Sequence, residues 1–266
     1  MMNEVLPYGW QRGRVVARHD WNDRLFSLKI EAKLHFNAGQ FVSIGLPATQ
    51  ENHGSESVVA RAYSFVNPPH HTPHEFLIAN VEGGLLSPRL AQLNEGDTVW
   101  LSAPAGFLNG DDIPAKTVLW MLATGTGIAP YISLLNTDTV WNKFKRIVLI
   151  RGIRHLEDAV YQDRVERLQE RYPDRLTFIE CVTRLKDDEG LNNNPYHHRI
   201  YGRLTSALET GALEACAGDA LAPETSHVML CGSPVMIDEV LGLLKLRGMQ
   251  RHRLSRPGHI TLERYG

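Results

Sequence analysis

Three groups of residues in this chain have types and spacings suited to chemistry. The first is M-L-A-T-G-T-G-I-A-P-Y (121–131), which follows an apolar run. A glycine-rich turn from strand to helix brings backbone N–H groups close to a ligand, and the helix start adds partial positive charge suited to phosphate. The pattern is G-x-G-x-x-P and not the full G-x-G-x-x-G, so a tight structural turn is the competing reading. The second group is a set of arginines at the ends of later apolar runs: Arg151 and Arg154 in I-R-G-I-R-H, Arg184 in T-R, and Arg203 after a loop. Dinucleotide folds that take a free ribose 2′-hydroxyl carry an acid about 20 positions after the glycines. Here the second apolar run ends in I-R-G-I-R-H (150–155) with no acid from there until Glu157, and arginines suit a 2′-phosphate by charge and bidentate hydrogen bonding. Any one of them reads equally as a solvated surface residue; taken together they favour NADP(H). The third group is R-A-Y-S (61–64), in which strand alternation sends Arg61 and Tyr63 to one face and Ala62 and Ser64 to the other. An arginine for a pyrophosphate, an aromatic ring to cover a flat cofactor and a hydroxyl to touch it make a flavin set, and an ordinary strand could carry the same residues.

These groups need two kinds of scaffold. From Gly13 to Gly106 the chain reads as short β-branched or aromatic runs: 13–21, 25–32, 40–46, 58–66, 75–81 and 97–103. Six such strands with turn residues between most of them predict an antiparallel barrel. One helical segment, 87–93, interrupts them, with Ser87 as N-cap and Pro88 at the first helical position. From about Lys116 strands alternate with helices. The runs 117–122, 146–150, 176–182 and 227–231 are continuously apolar, as parallel strands buried on both faces are. Tyr161, Val165, Leu168 and Tyr172 mark one face of a helix that Pro173 ends. Ser233-Pro234 opens another, with Met236, Val240, Leu243 and Leu244 inward and Gly248 as its stop. The expected division is a six-stranded barrel over 1–110 and a doubly wound α/β half over 111–266. The stretches 70–74 and 187–198 read as polar loops, in which His70, His71 and His74 are solvated turn residues before they are metal ligands.

Composition narrows the function classes. The chain has 266 residues, enough for two domains of ordinary size, with 43% hydrophobic and 22% charged residues. A net charge of −2 argues against bulk nucleic-acid binding. Cys181, Cys216 and Cys231 are far apart, which disfavours a cysteine-ligated cluster or zinc site, and they read as reduced thiols of a cytoplasmic protein. The N-terminus carries no targeting pattern, and glycines and a proline break the one long uncharged stretch, 117–135, so no membrane anchor is expected.

R-A-Y-S, G-L-L-S-P-R-L (84–90), A-T-G-T-G-I-A-P-Y (123–131), M-L-C-G-S-P (229–234) and R-P-G-H-I-T-L-E-R-Y (256–265) occur in an order that resembles the bacterial-type ferredoxin(flavodoxin)–NADP reductases, over nearly the whole chain. The resemblance implies an FAD-binding barrel, an NADP-binding α/β domain, and a nicotinamide that meets the flavin at their junction. It implies Arg61 on the FAD pyrophosphate, Tyr63 on the isoalloxazine and Ser64 near flavin N5. The helix at Ser87 then serves the pyrophosphate, while Thr124, Thr126 and Cys231 line the nicotinamide pocket. Arg154, Arg184 and Arg203 hold the 2′-phosphate, and Glu263 is the carboxylate near the flavin. Ala62, Leu85, Leu86, Gly125, Gly127 and Tyr265 complete the cofactor-binding set. Ser64, Cys231 and Glu263 are the implied catalytic residues, with Cys231 a positioning group and not a nucleophile. Relatives often extend this tail with a terminal aromatic; here Gly266 follows Tyr265. The implied partner is a ferredoxin or flavodoxin, acting on a monomer. The acid-free run containing Lys245, Arg247, Arg251, Arg253 and Arg256 is either a steering patch for an acidic partner or a solvated tail. An NADH-dependent flavin or haem-protein reductase and a non-catalytic module on the same scaffold are the competing readings.

Overall fold

In the computed structural model, which describes residues 6–48, 58–184 and 197–265, the change in sequence character near Lys116 is a change of sheet. The first half forms β1 (Gln11–Asp20), β2 (Leu25–Glu31), β3 (Phe41–Pro47), β4 (Val58–Ser64), β5 (His74–Ala79) and β6 (Thr98–Leu101). They pair antiparallel in the order β4-β3-β6-β1-β2-β5. Just past β4, Phe65 bridges Phe76 of β5, which joins the two outer strands and closes the sheet on itself. The core follows from period-two alternation: Phe26, Leu28 and Ile30, then Val42, Ile44 and Leu46, then Phe76 and Ile78, then Val99 and Leu101 all point into one cluster. The short helix α1 (Ser87–Leu90) adds Leu86 and Leu90 to it.

The second half forms β7 (Val118–Thr124), α2 (Ala129–Leu135), α3 (Asp138–Lys143), β8 (Arg146–Ile153), α4 (Gln162–Arg171) and β9 (Leu176–Val182). It continues with β10 (His197–Tyr201), α5 (Leu204–Glu209), α6 (Ala212–Ala217), β11 (Ser226–Gly232), α7 (Pro234–Leu246) and β12 (Ile260–Arg264). All six strands are parallel, in the order β10-β9-β8-β7-β11-β12. Alternate residues of β7 fill different layers: Leu119, Met121 and Ala123 face one cluster, Val118, Trp120 and Leu122 the other. The chain leaves β7 toward β8 and returns on its other side at β11, so the strand order reverses between β7 and β11. In open α/β sheets the crevice at such a reversal is where ligands bind. The barrel adjoins this sheet through shared apolar packing, with Leu25, Val66, Leu77 and Leu108 in the same cluster as Met121 and Tyr131.

Several sequence expectations need correction. Ser87 is the first helical residue and not the N-cap, because its hydroxyl accepts the Val81 N–H at 3.0 Å and is committed to the preceding turn. On α7, Ser233 does cap the Met236 N–H at 3.3 Å and Gly248 stops the helix at φ +77°, but Ile237 is fully buried where Leu243 is half-buried. His74 is not a solvated turn residue: it is 1% exposed in β5, its Nε2–H donating to Ala32 O at 3.1 Å, and lies edge-on to Phe36 and Phe65. Of the polar stretch 187–198, His197 and His198 open β10, and the remainder lies outside the described residues.

Arg151 is likewise not at the sheet edge. It is fully buried, donating to Glu180 Oε1 at 2.5 Å, Val160 O at 2.7 Å and Gln162 Oε1 at 2.9 Å, with its guanidinium over the Phe178 ring. Glu180 also accepts from Arg199 of β10 at 3.0 Å. One carboxylate thus joins β8, β9 and β10 from within, and removing it leaves a guanidinium buried without its counter-charge. Glu180→Ala is expected to destabilise the protein by about 3–5 kcal/mol, measured by denaturant unfolding. A change below 1 kcal/mol would show that the cluster contributes little.

Candidate functional site

The reversal point is built by two backbones in contact. After β7, residues 125–128 form one 3₁₀ turn before α2 begins. A Cβ on Gly127 would lie 2.4 Å from Cys231 O at the end of β11, and a Cβ on Gly232 would lie 2.2 Å from Thr124 Oγ1. Thr124 Oγ1 accepts the Ser233 N–H at 3.1 Å, which locks the turn to the start of α7. Gly125 is different: its φ is +56°, it is exposed, and a Cβ there would meet nothing within 4 Å. The motif therefore divides its labour. Gly127 allows close strand packing, whereas Gly125 with half-buried Thr124 and Thr126 leaves an open rim for a ligand.

β12 adds the next pieces through its register with β11, which places Glu263 beside Cys231. Glu263 Oε1 accepts from the Phe107 N–H at 2.7 Å and the Leu108 N–H at 3.4 Å, so the carboxyl reaches from the α/β sheet to the barrel. That contact requires Gly106, whose φ is +122° and whose added Cβ would sit 2.5 Å from Oε1. The tail then turns back: Tyr265 N–H donates to Gly232 O at 3.0 Å, and its hydroxyl donates to Ser64 Oγ at 2.6 Å while also contacting the Cys231 thiol. Ser64, Cys231, Glu263 and Tyr265 come from both halves of the chain and meet at one point.

Burial sets the charge state there. The fully buried Cys231 thiol is pushed far above its usual range, so it is a neutral thiol at physiological pH. The Tyr265 hydroxyl is pushed up in the same way. Burial raises the Glu263 carboxyl to about 7 against the opposing pull of the two backbone donors. Its second oxygen, Oε2, is buried without a partner. An orphaned acceptor beside a thiol and two hydroxyls fits a planar, hydrogen-bonding group seated between the halves.

On the barrel side Arg61 and Ala62 are exposed, with Arg61 donating to Ala60 O at 2.7 Å. Tyr63 is half-buried, its hydroxyl raised to about 12 by burial and drawn back by Arg61. Leu85 is 49% exposed, whereas Leu86 belongs to the barrel core and can offer a ligand only backbone. On the other side Arg154, Arg184 and Arg203 are exposed and follow β8, β9 and β10, three neighbouring strands. Arg184 N–H donates to Arg154 O at 2.7 Å and Gly202 N–H to Val182 O at 2.9 Å, which holds the three strand ends together. Arg151 is not part of this edge. The sequence reading missed Gly106 to Leu108; the signal was P-A-G-F after a strand, a turn with no chemistry of its own. Among the described residues no group of three or more His, Cys, Asp or Glu is placed to hold a metal ion.

Two consequences are measurable. Gly127→Ala drives a methyl group into the Cys231 carbonyl, which cannot yield without moving β11, and is expected to cost about 1–3 kcal/mol of stability. Gly125→Ala has space and strains only its backbone, so it should cost the smaller amount of about 1–2 kcal/mol. Glu263 gives a pH signature. Below its unfolded value of 4.5 both states hold the proton; as pH rises toward 7 the folded state must hold a carboxylate it solvates poorly. Relative to Glu263→Gln, the wild type should lose on the order of 3 kcal/mol between pH 4.5 and 7. Parallel pH–stability curves for the two proteins would contradict the burial account.

Comparison with known proteins agrees with this geometry. Residues 15–109 match the family model described as the oxidoreductase FAD-binding domain, and residues 121–241 match the oxidoreductase NAD-binding domain. The flavodoxin/ferredoxin–NADP reductase of Escherichia coli (strain K12) is 40% identical over 259 residues, covering 96% of this chain and 98% of that protein. The ferredoxin–NADP reductase of Azotobacter vinelandii is 35% identical over 263 residues, covering 94% and 95%. The solved ferredoxin NADP+ reductase of Neisseria gonorrhoeae, which has bound FAD and NADP, superposes with a TM-score of 0.84 at 26% identity, covering 97% of this chain and 99% of that one. With a closed barrel, a parallel sheet reversing at its glycine turn, and identity sustained from end to end, this chain belongs to the flavodoxin/ferredoxin–NADP reductase family.

Proposed function

We propose that this chain transfers a hydride between NADP(H) and a bound FAD, and single electrons between that flavin and a ferredoxin or flavodoxin. The observation that carries the reading is the meeting of Ser64, Cys231, Glu263 and Tyr265 where the barrel faces the strand reversal. Residues 1–110 form the flavin half and 111–266 the nucleotide half. Arg61 would hold the FAD pyrophosphate with the backbone of 85–87, Tyr63 would cover the isoalloxazine, and Ser64 would bond to its edge. When bound, the flavin supplies the two-electron to one-electron conversion; the protein supplies orientation and exclusion of water. Thr124 and Thr126 orient the nicotinamide with the backbone of Gly125 and Gly127. Cys231, a neutral thiol, packs against it as a positioning residue. Glu263, poised near neutrality by burial, holds or releases a proton at its unpartnered oxygen.

Tyr265 occupies the space between Ser64 and Cys231, and a nicotinamide entering there would have to displace it. Arg154, Arg184 and Arg203 select the 2′-phosphate. The competing NADH-dependent reading is disfavoured by these three exposed guanidinium groups on one edge. For the electron partner, Lys245, Arg251, Arg253 and Arg256 line a surface cleft of about 760 Å³ beside β12, and steer an acidic protein toward the flavin. Arg247 is excluded from that patch, because it turns inward to Glu214 Oε1 at 2.9 Å and Leu208 O at 3.0 Å. No helix among the described residues is long and apolar enough to cross a membrane; we place the protein in the cytoplasm as a monomer.

The yellow holoprotein should be bleached by NADPH much faster than by NADH in stopped flow. Replacing Arg184 and Arg203 by Ala together removes two charge-assisted contacts, each contributing about tenfold, so kcat/KM for NADPH should fall roughly 100-fold while that for NADH changes little. A purified protein with no flavin absorbance under any loading condition would overturn the function. Equal losses with both nucleotides would overturn the arginine assignment.

A further inference from the structure

A second cleft lies at the seam between the barrel and the α/β half, away from the residues that meet at Ser64. It encloses about 450 Å³, within the range of small-ligand sites, and its walls come from both halves. From α4 come Arg164, Arg167 and Arg171, whose spacing of three and four residues puts them on one helix face. From the barrel come Lys29 of β2 and His71 of the loop before β5.

One carboxylate lines the cleft, and it is already occupied. Glu75, 5% exposed, accepts from Tyr161 OH at 2.8 Å and Arg164 at 2.7 Å. Arg167 pairs with Asp163 at 2.6 Å, but both side chains are largely exposed, at 65% and 59%, so that pair binds weakly and is easily exchanged. Lys29 and Arg171 make no ion pair among the described residues. The floor is rigid: Asn67 accepts the Glu75 N–H at 2.7 Å, donates to His71 O at 2.6 Å, and receives Ser133 Oγ of α2 on its carbonyl at 2.9 Å. Cations from two separate elements, β2 and α4, thus converge on a preorganised hollow whose one lining carboxylate among the described residues is already engaged. Such an arrangement is costly by itself and is relieved by a bound anion. Guanidinium pairs at helical spacing match the geometry of phosphate oxygens.

We propose that this seam cleft binds a small di- or polyphosphate, held by Arg167 and Arg171 from α4 and Lys29 from the barrel. None of its lining residues belongs to the glycine turn, the three strand-end arginines or the barrel's R-A-Y-S, so the cleft shares no residue with either proposed nucleotide position. A ligand there touches both halves and fastens them together.

The test uses the FAD-loaded protein saturated with NADP+, so that the nucleotide site cannot take the probe. Inorganic pyrophosphate is titrated by calorimetry at ionic strength held constant with sodium chloride, and the thermal midpoint is followed in parallel. Binding heat and a raised midpoint are expected, with pyrophosphate at least tenfold tighter than orthophosphate. The double variant Lys29→Gln, Arg171→Gln should weaken pyrophosphate by roughly 100-fold, about tenfold per charge-assisted contact, with flavin content and turnover of NADPH unchanged. Lys29→Glu alone, at an exposed strand position, gives an independent reading and should weaken it at least tenfold. The proposal is overturned if the wild-type protein shows neither heat nor midpoint shift, or if the double variant or Lys29→Glu binds pyrophosphate as the wild type does. Because flavin bleaching by NADPH is read separately, failure here leaves the proposed reductase function untouched.

Discussion

The backbone of the 125–128 turn rests on the end of β11, and a side chain at Gly127 or Gly232 would force them apart. Everything at the junction is referred to that contact. It fixes Cys231 against the rim of the turn. Parallel register with β12 then places Glu263 one strand over, and the tail that follows carries Tyr265 back across Gly232 to Ser64. Cys231, Glu263 and Tyr265 therefore take their places from the end of β11. The barrel enters the same chain of dependence from the other side. Its Phe107 and Leu108 amides hold Glu263, so the two halves are registered to each other through that carboxyl.

The electrostatics of the junction follow from that burial. A thiol, a phenol and a carboxyl sit together, and desolvation pushes each toward its neutral form. Such a desolvated junction would hold little mobile water to reorganise if a hydride were passed there. Charge stands elsewhere: exposed guanidinium groups lie at the ends of β8 to β10, and a second set lines the cleft beside β12. The protein thus keeps these charges in solvent-screened positions and its junction of thiol, phenol and carboxyl in a desolvated one.

Which parts were legible in the sequence is explained by how each was encoded. The six barrel strands and four of the parallel strands were plain, because buried faces impose period-two alternation or unbroken apolar runs. β10 was not, since H-H-R-I-Y is polar and its inward arginine serves a buried ion pair; β12 was not, since I-T-L-E-R alternates like a loop segment with two apolar residues. Arg151 and Arg154 look equivalent on paper and differ by strand parity: one faces Glu180 in the interior, the other clears the end of the sheet. The lone acid in L-T-F-I-E-C-V was the available clue, because a carboxylate inside an apolar run must have a buried cation. Ser87 was misjudged for a different reason. A hydroxyl at a helix start can cap the helix or tie down the turn before it, and only the position of Val81 decides.

The seam shows the same economy of carboxylates. Glu75 lies across β5 from Lys29 in register, yet its oxygens go to Tyr161 and Arg164 of the other half. A barrel folding alone would have paired Lys29 with that acid at its surface. By drawing Glu75 inward, the association of the two halves leaves Lys29 without its neighbour and packs Trp21 edge-on against Tyr161. Docking of the halves and the creation of an unsatisfied cationic hollow are therefore one event. An anion that fills the hollow acts on the same equilibrium that brings Ser64 to Tyr265, because each requires the barrel and the sheet to be in contact.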